Sequence, residues 1–116
     1  MTNSTENTLA VKESRNGKFL VIDLAGRLST TNCGELENRL IALIGQGEKE
    51  ITVNCSDLNY ICSSGIRIFL MALKKITPEG GSFHVCNLQA NLMEIFEIAG
   101  LTSLFKIFNS VEEACR

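Results

Sequence analysis

Ile61-Cys62-Ser63-Ser64-Gly65-Ile66 is the stretch whose reading decides the fold. It follows an alternating segment, Ile51-Thr52-Val53-Asn54-Cys55-Ser56, and leads into a helical pattern running from Ile66 to Ile76. A strand that passes directly into a helix is the building unit of an α/β domain. Two hydroxyls then fall in the first helical turn, where backbone N–H groups lack intrahelical partners. Those donors and the positive end of the helix dipole favour an anion, including a phosphate carried by a serine.

Upstream, Leu9-Ala10-Val11-Lys12 and Phe19 to Ala25 predict two strands joined by a turn at Asn16-Gly17. The second is almost continuously apolar, as an interior strand should be, and Gly26 is expected to end it. Thr30, Thr31 and Asn32 offer N-caps, and Asn32 stands three residues before Glu35 in a box-like arrangement. The helix that follows should bury Leu36, Leu40, Leu43 and Ile44, pair Glu35 with Arg39 outside, and stop at Gly45 and Gly47.

Downstream, the second helix is expected to turn Ile66, Phe69, Leu70, Leu73 and Ile76 inward and to end before Pro78. Ile68 and Met71 would then point outward beside Arg67, Lys74 and Lys75, forming a docking face. Ser82 to Cys86 predicts a fourth strand, and Leu92, Ile95, Phe96 and Ala99 a third helix closed by Gly100. A short apolar segment, Leu104 to Phe108, precedes a last helical turn capped by Ser110, with Glu112 and Glu113 in it. The order predicts a single-domain α/β fold: a mixed four- to five-stranded sheet with a parallel centre, and three to four helices. The loops 26–32 and 57–64 should face each other beyond the carboxyl ends of the strands.

Composition sets the class. The 116 residues, 45% hydrophobic, support one domain over 9–116 behind a polar tail over 1–8. Eleven basic and thirteen acidic residues are well mixed, so no basic stripe for nucleic acid emerges. The longest nearly apolar run, Ile66 to Leu73, contains Arg67 and is too short for membrane insertion. Five cysteines with no C-x-x-C pair suggest neither a disulfide framework nor a zinc site, and fit reduced thiols in the cytoplasm. No metal and no cofactor is expected.

Asp57-Leu58-x-x-Ile61-x-Ser63-Ser64-Gly65-Ile66, with Gly26-x-Leu28 before it and Leu92-x-x-Ile95-Phe96-x-x-x-Gly100-Leu101 after it, resembles the STAS domain. Free-standing anti-sigma factor antagonists look closest, and the similarity runs from about Leu9 to Ala114. The resemblance implies a non-enzymatic switch that, when unphosphorylated, captures an anti-sigma factor that is also a GHKL-type kinase. The kinase would phosphorylate Ser63, and a phosphatase would restore it. In that family an acidic residue often precedes the acceptor, where Cys62 stands here, and another follows the Gly-x-Leu element, where Ser29 stands.

The partner surface so implied comprises Ser29, Thr30, Asn32, Cys62, Ser63, Ser64, Gly65, Arg67, Ile68 and Met71. Other readings stay open. Ser63 and Ser64 could be simple helix caps, and Gly65 could serve either close backbone approach or a routine helix start. Asp57 reads as a turn residue and His84 as a satisfied strand residue. Without phosphorylation the same fold could be a constitutive scaffold, for example in a lipid-transport complex. A thiol enzyme at Cys62 is the remote alternative, since Cys62-x4-Arg67 is one residue short of the phosphatase-type spacing.

Overall fold

The structure, a computed structural model, describes residues 8–116; residues 1–7, most of the expected tail, lie outside the described residues. Strands β1 (Leu9–Asn16) and β2 (Phe19–Leu28) pair antiparallel around a two-residue turn, Gly17-Lys18, one position later than the sequence suggested. Strands β3 (Glu50–Ile61), β4 (Ser82–Cys86) and β5 (Lys106–Phe108) continue the sheet in the order β1-β2-β3-β4-β5, with β2 to β5 parallel. Helices α1 (Cys33–Gly45), α2 (Ser63–Ile76) and α3 (Ala90–Ile98) make the crossovers between those parallel strands. Because strand order advances in one direction, right-handed crossovers lay all three helices on one face.

That face is the core. Leu20, Ile22 and Leu24 of β2, Ile51 and Val53 of β3, and Phe83 and Val85 of β4 meet Leu36, Leu40, Phe69, Ala72, Leu92 and Phe96 of the helices. Phe69, Phe83 and Phe105 form a ring cluster with centroids 5.8 to 6.4 Å apart. Alternate residues point to the other face, where α4 (Val111–Ala114) covers β3 and β4. There Thr52 Oγ1 and His84 Nδ1 lie 3.5 and 2.7 Å from the Ala114 carbonyl, and the His84 ring stacks between Phe19 and Phe108. His84 is a satisfied strand residue, as expected.

Both central strands outrun their sequence signals. Gly26 does not end β2; it lies within it at φ +106, where a Cβ would sit 2.3 Å from the Thr8 carbonyl oxygen. In β3, two register shifts against β2 each insert an extra residue, so the buried side chains Cys55, Leu58 and Ile61 come every third position. Bulges of this kind break the period-two pattern that marks a strand. Asp57 is therefore an exposed strand residue opposite Ala25, not a turn residue.

Helix α2 is rotated by about one residue from the expected phase. It buries Gly65, Ile68, Phe69, Ala72 and Ile76, while Ile66, Leu70 and Leu73 are half-buried. Its middle, Ile68-Phe69-Leu70-Met71-Ala72-Leu73, is apolar on every side, so hydrophobicity there leaves the phase undetermined. The two small residues, Gly65 and Ala72, settle it by letting the helix close on the sheet. Two more expectations change. Arg39 pairs with Glu13 of β1 at 2.8 Å rather than with Glu35, and Ile95 and Ala99 of the third helix face outward. The Ser110 cap holds, its Oγ accepting the Glu113 N–H at 3.1 Å, as does the stop at Gly100, φ +74.

Cys55 and Cys86 are fully buried between sheet and covering elements. Burial pushes the Cys86 thiol up to about 12, with the neighbouring Cys115 adding to the effect, and burial raises Cys55 too. A neutral thiol held above its unfolded pKa stabilises the fold fully below about pH 8.5, and that contribution is lost as pH rises. Urea unfolding should therefore show stability falling by about 1.4 kcal/mol per pH unit for each such thiol above about pH 9. Cys86→Val should flatten that slope by one thiol's share; an unchanged slope would contradict the assignment.

Candidate functional site

The turn that carries the site is a single residue long. Cys62 leaves β3 in an extended conformation (φ −85, ψ 169) and is the N-cap of α2. Its N–H donates to the Leu28 carbonyl at 2.9 Å, continuing the β2–β3 ladder by one bond. Its carbonyl accepts the Ile66 N–H at 3.1 Å, and its Sγ accepts the Gly65 N–H at 3.4 Å. The capping role considered for the serines thus falls to the cysteine sulfur. Ser63 is the first residue of α2 and is exposed, and its hydroxyl has no hydrogen-bond partner among the described residues. Ser64 is half-buried.

Gly65 explains how tightly the turn is seated. A Cβ there would lie 2.7 Å from Leu28 Cδ2 and 3.0 Å from Ile61 Cγ1, so α2 rests on the ends of β2 and β3. Of the two readings of this glycine, close approach is the one the packing supports, and the approaching group is the Leu28 side chain.

The facing loop is folded by its own side chains. Asn32 was expected to cap α1, but its amide turns back: Oδ1 accepts the Ser29 N–H at 3.0 Å and Nδ2 donates to the Arg27 carbonyl at 2.9 Å. The Ser29 carbonyl accepts the N–H groups of Asn32 and Cys33 at 3.2 and 2.9 Å. Ser29 Oγ and Thr31 Oγ1 are 2.9 Å apart. Ser29 and Asn32 are consequently buried, each 8% exposed, and hold the loop. Thr30 and Thr31 are its exposed residues. Just behind, the Arg27 guanidinium covers the Tyr60 ring at 4.1 Å.

The expected partner residues divide in two. Thr30, Ser63 and Arg67 are exposed, and Ser64 and Met71 half-buried, on the surface where the loop meets the start of α2. Ser29, Asn32, Cys62 and Gly65 lie beneath that surface and shape it. Ile68 is a correction: at 4% exposure it belongs to the core, a consequence of the helix phase. Thr31 and Leu70 take places the sequence did not assign. Leu70 lines a shallow hollow of about 350 Å³ with Arg67, Met71, Lys74 and Lys75. Helix α2 carries three cations and no acidic residue, and none of the three joins an ion pair among the described residues.

Other chemistries find little footing. A nucleophilic thiol needs access, whereas Cys62 is 8% exposed and its sulfur accepts the Gly65 N–H. Among the described residues no group of three His, Cys, Asp or Glu could hold a metal ion. Among the described residues no helix is long and apolar enough to cross a membrane.

Comparison with known proteins agrees with this architecture. The STAS domain family profile matches residues 10–114. The chain is 34% identical over 96 residues to a protein of Bordetella bronchiseptica named as a putative anti-sigma factor antagonist, BtrV, covering 83% of each chain. It is 28% identical to the anti-sigma-B factor antagonist of Bacillus subtilis, over 84% of this chain and 86% of that one. The crystal structure of an anti-sigma factor antagonist from Mycobacterium paratuberculosis superposes with a TM-score of 0.84 at 17% identity, covering 92% of this chain and 91% of that one. The chain belongs to the STAS domain family.

Two substitutions test how the turn is built. Cys62→Ala removes the cap acceptor and should lower stability by about 1 kcal/mol, whereas Cys62→Ser, which keeps an acceptor, should not. Gly65→Ala forces a methyl group against Leu28 and Ile61 and should cost about 1–3 kcal/mol. Denaturant midpoints measure both, and a neutral Gly65→Ala would show that α2 does not rest on those side chains.

Proposed function

We propose that this protein is an anti-sigma factor antagonist whose binding is switched by phosphorylation of Ser63. In this reading the unmodified protein captures an anti-sigma factor that is also a GHKL-type serine kinase, ATP belongs to that partner, and a phosphatase reverses the modification. The setting is the cytoplasm and the protein itself is not an enzyme. The observation that carries the reading is the Ser63 hydroxyl, exposed at the first turn of α2 and without a hydrogen-bond partner among the described residues. The names of the relatives point to the same job.

The physics of such a switch is local. A phosphoserine carries roughly −1.5 to −2 charges at neutral pH. In the free protein, the helix dipole and the N–H groups of the first turn of α2 favour that charge. Pressed into a protein contact, the same charge must be desolvated, and it repels partner carboxylates. The modification therefore ends an association without unfolding the domain. The basic, partly apolar face of α2 beside Ser63 supplies the remaining contact in this reading, with Leu70 replacing Ile68 beside the expected Arg67 and Met71.

The test uses the source organism's GHKL-type serine kinase with labelled ATP. Ser63→Ala should retain capture and take up no phosphate, while Ser63→Asp should weaken capture by about tenfold or more. Undiminished labelling of Ser63→Ala would place the acceptor elsewhere. Stability of both variants should stay close to that of the parent, because the hydroxyl is exposed and has no partner to lose among the described residues.

A further inference from the structure

We infer that two copies of this chain dock through their helical faces, α2 of each against α3 of the other. Among the described residues five large apolar side chains are exposed, and three of them stand here. Ile95 and Ile98 of α3 are 40% and 81% exposed, and Leu104, just beyond that helix, is 55% exposed. Leu104 joins Leu70, Leu73, Lys74, Thr77 and Pro78 around a hollow of about 390 Å³ beside α2. Through Leu70 and Lys74 this hollow continues into the one bounded by Arg67 and Met71. Charge tells which occupant fits. Helix α2 carries Arg67, Lys74 and Lys75 and no acidic residue, whereas α3 carries Glu94 and Glu97 and no basic one. All five are exposed, and none joins an ion pair among the described residues. The chain thus holds a basic apolar groove and an acidic apolar ridge that are complementary to each other.

Within one copy the Phe105 ring lies between the two helices, 6.4 Å from the Phe69 ring of α2 and 5.9 Å from the Phe96 ring of α3. The helices therefore lie side by side on one face of the sheet, both running back along parallel strands. A two-fold axis parallel to them sets α2 opposite the other copy's α3 and α3 opposite its α2. Each contact is then made twice and no open chain forms. Such an axis preserves height along the helices, and the heights agree. Asn91 Nδ2 donates to the Asn59 carbonyl at 3.3 Å, which sets the start of α3 about 10 Å below that of α2. At about 1.5 Å per residue, Glu97 and Ile98 come to the height of Lys74 and Leu73. A helix with two exposed isoleucines beside carboxylates suits a groove of leucines rimmed by cations. A bilayer is a poorer match, since Leu70 and Leu73 are half-buried in the hollow rather than raised above it.

Two helices from each copy make a small interface, so the dimer is weak, in the micromolar range or above. Arg67 and Leu70 belong both to this face and to the proposed capture surface. Competition between dimer and capture rests on that proposed function; the dimer itself does not. Sedimentation equilibrium of the full chain, from about 1 µM to about 1 mM, is the test. The protein should pass from monomer to dimer and go no further. Lys74→Glu and Glu97→Lys should each weaken dimerisation about tenfold or more, because like charges then face each other twice. Mixing the two variants should restore it, since in the mixed pair both contacts are again between opposite charges. Ile98→Ser should weaken the dimer while leaving the urea midpoint close to that of the parent, because the side chain is exposed. A chain that stays monomeric at the highest concentration, or charge variants that the mixture fails to rescue, would overturn the proposal. So would a monomer that binds phosphatidylserine vesicles through Lys74, which would give the groove to a lipid surface. No kinase enters this readout, so its failure and that of the Ser63 switch are separable.

Discussion

The parallel pairing of β2 with β3 runs to the last residue of each strand, Leu28 against Ile61, and one further bond from the Cys62 N–H to Leu28 closes it. Everything at the site depends on that extension. It fixes where the chain leaves the sheet, and so where α2 starts. It also brings the Ser29–Asn32 loop, which leaves β2 at the same level, beside the first turn of α2. Two bulges in β3 make the extension workable, because each returns the next apolar side chain to the core after an extra residue. Without them, Leu58 and Ile61 could not both face the helices.

Seating α2 so close to the strand ends has a cost in sequence freedom. Gly65 must lack a side chain because Leu28 occupies the space, and Cys62 must supply the cap. Ser63, by contrast, is exposed, and its hydroxyl has no hydrogen-bond partner among the described residues. A side chain so placed can be modified at little cost to the fold. In the proposed switch, rigidity lies in the buried residues beneath the surface, and the charge is written on an exposed residue above them.

Hydrophobic periodicity identified most elements of this chain, and it failed where the period itself was interrupted. Residues 57–61 read as a loop because their buried positions come every third residue, and Gly26 read as a stop because glycine usually punctuates. Ile68 was misplaced for the opposite reason. Along the apolar run from Ile68 to Leu73, a docking stripe and a core stripe look alike, and the seating of Gly65 against Leu28 and Ile61 distinguishes them. Asn32 carried the signature of a cap, but hydrogen bonds to Ser29 and Arg27 compete for the same side chain.

Local chemistry was therefore enough to establish an α/β domain with a serine-bearing turn between a strand and a helix, since alternation, caps and breakers act over a few residues. The Ser63 position was legible on the same grounds. Which side chains surround it was settled by contacts between residues distant in the chain: β2 against β3, α2 against Leu28, Asn32 against Arg27 and Ser29. Strand register and helix phase are set by how apolar surfaces fit when the layers close, and no single segment contains that information.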